Sequence, residues 1–242
     1  IDEIDSLVGD TLIAVLRQLR TGYAQRPQRF PQSVILCGVR DIRDYRIHSS
    51  TEKAVITGGS AFNIKAESLR LGNFSRAEME ALYVQHTAET GQVFMAEAVE
   101  RLWELSQGQP WLVNALAYEV CFRMPEGHER TQAVTRELVE KAKDALILRR
   151  ETHLDQLTDK LKEPRVQQVI APLLQGVELP TNVAEDNIQY VVDLGLIRRG
   201  PRGLELANAL YREVIPRELT WVMQLSLESS QWPAWYVGSD GR

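Results

Sequence analysis

The five residues Ile1-Asp2-Glu3-Ile4-Asp5 decide how the chain is read. An apolar residue leading into two adjacent carboxylates supplies two kinds of oxygen chemistry. A hard dication such as Mg²⁺ prefers oxygen ligands and keeps much of its water, and a neighbouring carboxylate can orient or deprotonate an attacking water. Asp2 is the candidate metal carboxylate and Glu3 the candidate water-activating group. The competing reading is the first turn of a helix, where acidic residues favour the positive end of the peptide dipoles.

The next buried element separates the two readings. One helix later comes Ser33-Val34-Ile35-Leu36-Cys37-Gly38-Val39, a short continuous apolar run. Such a run fits a strand covered on both faces, as in a parallel sheet. It ends at Arg40-Asp41, and ligand crevices of open α/β sheets lie at the carboxyl ends of the strands. Arg40 is therefore a candidate ligand-binding residue. The alternative is that Arg40 pairs with Asp41 or Asp44.

Between these two stretches, Asp10 to Arg20 spaces Leu12, Ile13, Val15, Leu16 and Leu19 as one face of an amphipathic helix, with Asp10 as its N-cap. Thr57-Gly58-Gly59-Ser60 reads as a flexible loop, and Glu67 to Leu71 alternates like an edge strand. Strand–helix–strand order indicates an α/β region.

From residue 75 onward the pattern is helical. Ser75 with Glu78 makes a capping box. Phe94 to Ser106 carries Ala98, Leu102 and Leu105 on one face, and Gly108-Gln109-Pro110 breaks one helix and opens another that runs from Trp111 to Phe122. A charged helix follows from Thr135 to Arg150. Helices over Pro164–Leu174 and Ala184–Leu194, a hairpin with Gly200-Pro201-Arg202-Gly203 at its turn, and a helix from about Ala207 to Leu219 follow the grammar of a winged helix.

Composition bounds the class. The chain has 242 residues, 44% hydrophobic and 25% charged, with a net charge of −5. These values suit a globular protein of roughly one and a half to two domains and do not suit a general nucleic-acid coat. No apolar run reaches the ~18 residues of a membrane span, and no signal peptide is visible, so the expected localisation is cytoplasmic. Cys37 and Cys121 lie in apolar sequence and read as buried free thiols. The four histidines have no metal-ligand spacing, which leaves zinc sites and standard hydrolase triads without support.

Five stretches in this order, Ile1–Leu7, Val34–Arg40, Phe62–Phe74, Ser106–Leu116 and Asn208–Arg217, resemble the AAA-like, archaeal-type ATPases of the STAND group of P-loop NTPases. The resemblance covers about residues 1–217. It implies a partial α/β P-loop core over residues 1–74 that runs from the Walker B element to the last strand. An all-α lid over 75–148, a winged-helix domain over 149–219 and an aromatic tail over 220–242 follow, and the whole is mostly helical. It also implies ATP and Mg²⁺ as cofactors, with Asp2 on the metal, Glu3 activating water, Arg40 sensing the γ-phosphate, and Gly108 and Pro110 of the lid packing near the adenine. The departure is a missing Gly-x-x-x-x-Gly-Lys-Ser/Thr loop, whose amides and lysine hold the phosphates. The sequence begins at Ile1 without methionine, so the expectation is the carboxyl-terminal portion of such an ATPase, inactive by itself.

Two other readings stand beside this one. Arg198, Arg199 and Arg202 crowd the hairpin turn and would suit DNA phosphates, but the helix before it carries Glu185, Asp186 and Asp193 and no basic residue. Regulation or protein contact is preferred over DNA for this module. A helical scaffold for a protein partner or for self-association is the third reading, with Trp232, Trp235 and Tyr236 as interface candidates, against the slightly preferred alternative that they pack back on the body, and Trp103 and Trp111 as core.

Overall fold

The computed structural model describes residues 1–64, 67–149, 152–201 and 203–219. The chain divides into two compact units, Ile1–Leu71 and Gly72–Arg242.

In the first unit, α1 (Gly9–Gly22) buries Leu12, Ile13 and Leu16, the face its spacing predicts. Val8, not Asp10, is the N-cap. Asp10 sits in the first turn and accepts hydrogen bonds across to the loop after β1: from Ser49 Oγ at 2.6 Å, from Thr51 Oγ1 at 3.1 Å, from the amides of Ser50 and Thr51, and from Ser50 Oγ. These bonds, led by that of Ser49, hold its carboxyl down at about 2. The strands β1 (Arg46–Ser49) and β2 (Ala54–Thr57) form an antiparallel hairpin in the register Arg46↔Thr57 to Ser49↔Ala54. Thr57-Gly58-Gly59-Ser60 is not a loop. Thr57 accepts from the Ser60 amide and caps α2 (Gly58–Ala61), where Gly58 passes so close to the Ile42 carbonyl that no Cβ would fit. Ile4, Leu12, Ile13, Leu16, Ile42, Ile47, Ala61 and Phe62 make the small core.

The expected parallel core sheet is reduced to one short pairing. Ser33–Val39 is extended but is not buried on both faces: Val34, Ile35 and Val39 are exposed, and so is Cys37, against the expectation of a buried thiol. Among the described residues Ile1–Ile4 is the segment that hydrogen-bonds along it, and a strand is covered on both faces only when further strands and helices flank it. Phe62-Asn63-Ile64 and Glu67–Leu71 are not strands either. Leu69 and Leu71 are 79% and 87% exposed.

The second unit is almost wholly helical. Helix α3 (Arg76–Thr90) starts at the expected capping box: the Glu78 amide donates to Ser75 Oγ while the Ser75 amide donates to Glu78 Oε2 at 2.7 Å. α4 (Ala96–Ser106) and α5 (Pro110–Tyr118) bury Leu102, Leu105, Leu112 and Leu116 completely. The α5 region does not stay α-helical to Phe122. Residues Glu119–Arg123 form a π-helical turn, and Gly127 of the one-turn α6 (Pro125–His128) nestles against its backbone. α7 (Arg136–Arg149) and α8 (Thr152–Leu161) follow. α9 (Pro164–Gln175) and α10 (Glu185–Asp193) lead through Gly195, at φ +73°, into β3 (Ile197–Gly200) and β4 (Gly203–Leu206), paired Ile197↔Leu206 to Gly200↔Gly203. A last helix, α11, spans 209–219. Buried residues from Met79 to Leu219 form one continuous core, against which Trp103 and Trp111 pack half-buried. Arg150, Arg202 and residues 220–242, with the aromatic tail, lie outside the described residues. No helix among the described residues is long and apolar enough to cross a membrane.

Candidate functional site

The sequence-derived site residues fall into two sets, one in each unit. In the first unit, the Ile1 nitrogen donates to the Ile35 carbonyl at 2.8 Å and the Ile1 carbonyl accepts from the Cys37 amide at 2.9 Å. One residue that gives to position 35 and takes from position 37 is in parallel register. The next donor to Cys37 should be Glu3, two residues on, but it is Ile4 at 2.9 Å. Glu3 is thus an extra residue, held in the left-handed region at φ 48°, ψ 46°. This is a bulge, a device that re-aims side chains and recurs beside active sites. Asp2 Oδ1 accepts from the Glu3 amide at 3.0 Å, and both side chains are exposed. A single 3-10 turn, Ile4–Ser6, follows, with Ile4 buried as the anchor. The helix-start alternative for these carboxylates therefore applies only beyond Glu3.

Gly38 makes the close pairing feasible, since a Cβ there would lie 2.9 Å from both Ile4 Cγ2 and Asp5 Oδ1. Arg40 follows on the same strand-like segment, at its carboxyl end. It is half-buried and already engaged by a partner, as is Asp41. Among the described residues no group of three or more His, Cys, Asp or Glu side chains converges as a metal site. Mg²⁺ needs only one or two carboxylates when phosphate oxygens complete its shell. Asp2 fits that role chemically, whereas the amide-rich phosphate cradle is absent from this sequence.

In the second unit, Ser106 to Pro110 form a tightly specified corner. Gln107 and Gly108 both take left-handed conformations, at φ 48° and 73°. Ser106 Oγ donates to the Leu102 carbonyl at 2.7 Å and accepts from the Gly108 amide at 3.2 Å. Gln109 caps α5 by accepting from the Leu112 amide at 2.6 Å, and Pro110 occupies the first turn, where a missing N–H costs nothing. The corner also grips the incoming chain: the Phe74 amide donates to the Gly108 carbonyl, and Asn73 Nδ2 donates to the Gln107 carbonyl.

Sequence reasoning missed Gln107. Its side-chain oxygen accepts from Arg198 Nη1 of β3 at 2.8 Å, across 91 residues, and only the fold could show this. Arg198 Nε also pairs with Glu205 Oε1 at 2.8 Å, and Arg199 Nη2 pairs with Glu185 at 2.5 Å. The hairpin cations are therefore matched by acidic neighbours, and Arg202 lies outside the described residues. The sequence reading also overlooked a 290 Å³ pocket between α3 and α5, lined by Tyr83, His86, Phe94, Tyr118, Cys121 and Phe122. Burial pushes the Cys121 thiol up to about 11, so it stays protonated.

No protein-family model and no characterised protein matches this sequence. Among solved structures, the chain is similar to the Thermotoga maritima RuvB Holliday junction branch migration motor. Identity is 18%, the TM-score is 0.44, and the match covers 89% of this chain and 68% of that one. A variant structure of the same RuvB matches at 15% identity and a TM-score of 0.42, over 89% of this chain and 77% of the other. At this degree of likeness the functional reading rests on the geometry of the chain itself.

Proposed function

We propose that this chain is the carboxyl-terminal portion of an AAA-like P-loop ATPase of the STAND, archaeal type, acting as a nucleotide-dependent switch. The observation that carries the reading is the bulged parallel pairing of Ile1–Ile4 with Ile35–Cys37. Two extended segments in parallel register, with Asp2 and Glu3 at the end of one and Arg40 just past the end of the other, resemble the strand ends beside which a phosphate crevice lies. In this reading Asp2 supplies a hard oxygen for Mg²⁺, Glu3 holds the attacking water, and Arg40 places positive charge where the γ-phosphate would sit. Gly108 and Pro110 belong to the second unit, where they shape the corner that opens α5 of the lid. Bound Mg²⁺-ATP would supply the polarised phosphoryl group, while these residues bind, orient and hold the proton of the water. The all-α region from α3 to α7 serves as the lid, and α9, α10, the β3–β4 hairpin and α11 serve as a winged helix that reports nucleotide state through the segment between Arg149 and Lys162.

The chain lacks the phosphate-cradling loop, so alone it is expected to bind ATP weakly and to turn over none. Calorimetric titration with Mg²⁺-ATP tests both parts. The 242-residue chain should give little heat. An intact-length clone that includes the sequence encoded upstream of Ile1 should bind, and Glu3→Gln should abolish hydrolysis while sparing binding. An intact-length clone that binds no ATP defeats the reading, and robust Mg²⁺-dependent turnover by the 242-residue chain defeats the claim of inactivity.

DNA binding by the hairpin is the runner-up. It draws less support because Arg198 and Arg199 are paired with Glu205, Gln107 and Glu185, so phosphates would have to displace those partners.

A further inference from the structure

The 290 Å³ pocket between α3 and α5 contains none of the residues assigned to nucleotide chemistry. Helical spacing builds it. Leu82, His86 and Glu89 recur at i, i+4 and i+7 on α3, and Asn114, Tyr118 and Cys121 recur in the same way along α5 and the turn after it. The π-helical turn Glu119–Arg123 carries Cys121 and Phe122, and such turns are concentrated at functional sites. The aromatic rings hold one another in place. Phe94 stacks on Tyr83 with centroids 4.7 Å apart, Phe122 stacks on Tyr118 at 5.3 Å, and the His86 ring stands roughly perpendicular to Phe94 and Phe122, 5.8 Å from each. Tyr118 and Phe122 are still 52% and 48% exposed. Ordered rings with open apolar surface at a concave mouth are what a small-molecule site offers.

The polar groups of the wall are acceptors. Gln92, completely buried, donates through Nε2 to the carbonyls of Gly127 and Gln132, both at 3.2 Å. Its Oε1 therefore takes the opposite side, where it accepts from Arg130 Nη1 at 2.7 Å and meets His86 Nε2 at 3.1 Å. An amide oxygen only accepts, so His86 Nε2 carries the proton and the neutral ring keeps its lone pair on Nδ1. Among the described residues, Glu89 is the one carboxylate of the wall, and its side chain is neither hydrogen-bonded nor ion-paired. No lysine or arginine lines the pocket. Arg123 and Arg130 approach the Tyr118 and Phe122 rings, 5.5 and 4.7 Å from the centroids, and are engaged by Glu119 and Gln92. These π-systems thus already attract cations. An anionic ligand would meet Glu89 and no cation in the wall, whereas a protonated amine would meet a carboxylate, a lone pair and aromatic rings. The volume lies at the lower end of the roughly 300–1,000 Å³ of small-molecule pockets, which sets the ligand at one or two rings.

We infer that the pocket between α3 and α5 is a binding site for a small aromatic amine, its ring among Phe94, Tyr118 and Phe122 and its N–H donors taken by Glu89 and His86 Nδ1.

The test uses the 242-residue chain and three probes that share one ring system and differ in charge: tryptamine, indole and indole-3-acetate. Tryptamine should bind most tightly, indole more weakly, and indole-3-acetate should not saturate. Glu89→Gln, an exposed substitution, should weaken tryptamine about three- to fivefold and leave indole unchanged. In ¹⁵N-labelled protein without probe, His86 should show the Nε2–H tautomer, and tryptamine should move its Nδ1 signal. Absence of saturation by tryptamine up to millimolar concentration overturns the site. Equal affinities for the three probes, or a tryptamine affinity indifferent to Glu89→Gln, overturn recognition of the amine. An Nδ1–H tautomer in the free chain overturns the role of His86 as acceptor.

Discussion

Gly108 and Phe74 are locked backbone to backbone. The Phe74 amide donates to the Gly108 carbonyl at 2.8 Å, and a Cβ on Gly108 would lie 1.9 Å from the Phe74 carbonyl oxygen. With φ at +73°, the position excludes every side chain on two independent grounds. Gly108→Ala should cost about 2–4 kcal/mol of stability, measured by urea unfolding. A loss under about 1 kcal/mol, the level of ordinary glycine strain, would show that the corner relaxes freely.

The corner is also tied to the hairpin by Arg198 and Gln107. Both groups are solvent-accessible, so the bond itself should be modest. A double-mutant cycle with Arg198→Ala and Gln107→Ala should give a coupling of about 0.5–1 kcal/mol. Zero coupling would remove the only side-chain link described between β3 and the Gly-Gln-Pro element. Arg198→Ala and Arg199→Ala should each leave duplex DNA retention in a gel-shift unchanged, since both guanidiniums are already matched by acidic groups.

Asp10 makes the first unit pH-sensitive. Its carboxyl is held at about 2 by Ser49, Ser50 and Thr51, below the usual value of about 3.9 in an unfolded chain. The ionised form is thus favoured in the folded state. Its stabilisation is fully present above about pH 4 and is lost as pH falls from there toward 2. Acid titration followed by amide signals in β1 and β2 should show loosening across that window. In Asp10→Asn the acid-dependent step should disappear and stability near pH 7 should fall.

The two units should differ in local stability. The first has a core of eight buried apolar residues, while the second has a continuous core from Met79 to Leu219. Hydrogen exchange should be fastest in residues 1–71 and slowest in α4, α5 and α7. Slow exchange confined to residues 1–71 would contradict this, and it would mean that the exposed edge at Ile35 is protected by another chain.

The Ser75 capping box should be worth about 1 kcal/mol. Ser75→Ala frees the Glu78 amide and should lower stability by that amount. Ser75→Asp should restore most of it.

The elements whose information is local could be read from the sequence. The capping box at Ser75 and Glu78, Pro110 in a first turn, Gly195 past a helix end and the two arms of the β3–β4 hairpin depend on residues within a few positions of one another. A helix closes its hydrogen bonds within four residues, so its caps and apolar period are written in the chain. The tertiary structure decided the rest, because those features depend on partners far away. Ser33–Val39 has the composition of a buried strand, but burial requires flanking strands on both sides, and among the described residues Ile1–Ile4 alone hydrogen-bonds along it. Asp10 has the composition of an N-cap but bonds instead to Ser49, Ser50 and Thr51, forty residues on. The left-handed turn at Glu3 and the bond between Gln107 and Arg198 leave no trace in residue order, since each is fixed by where another segment lies in space.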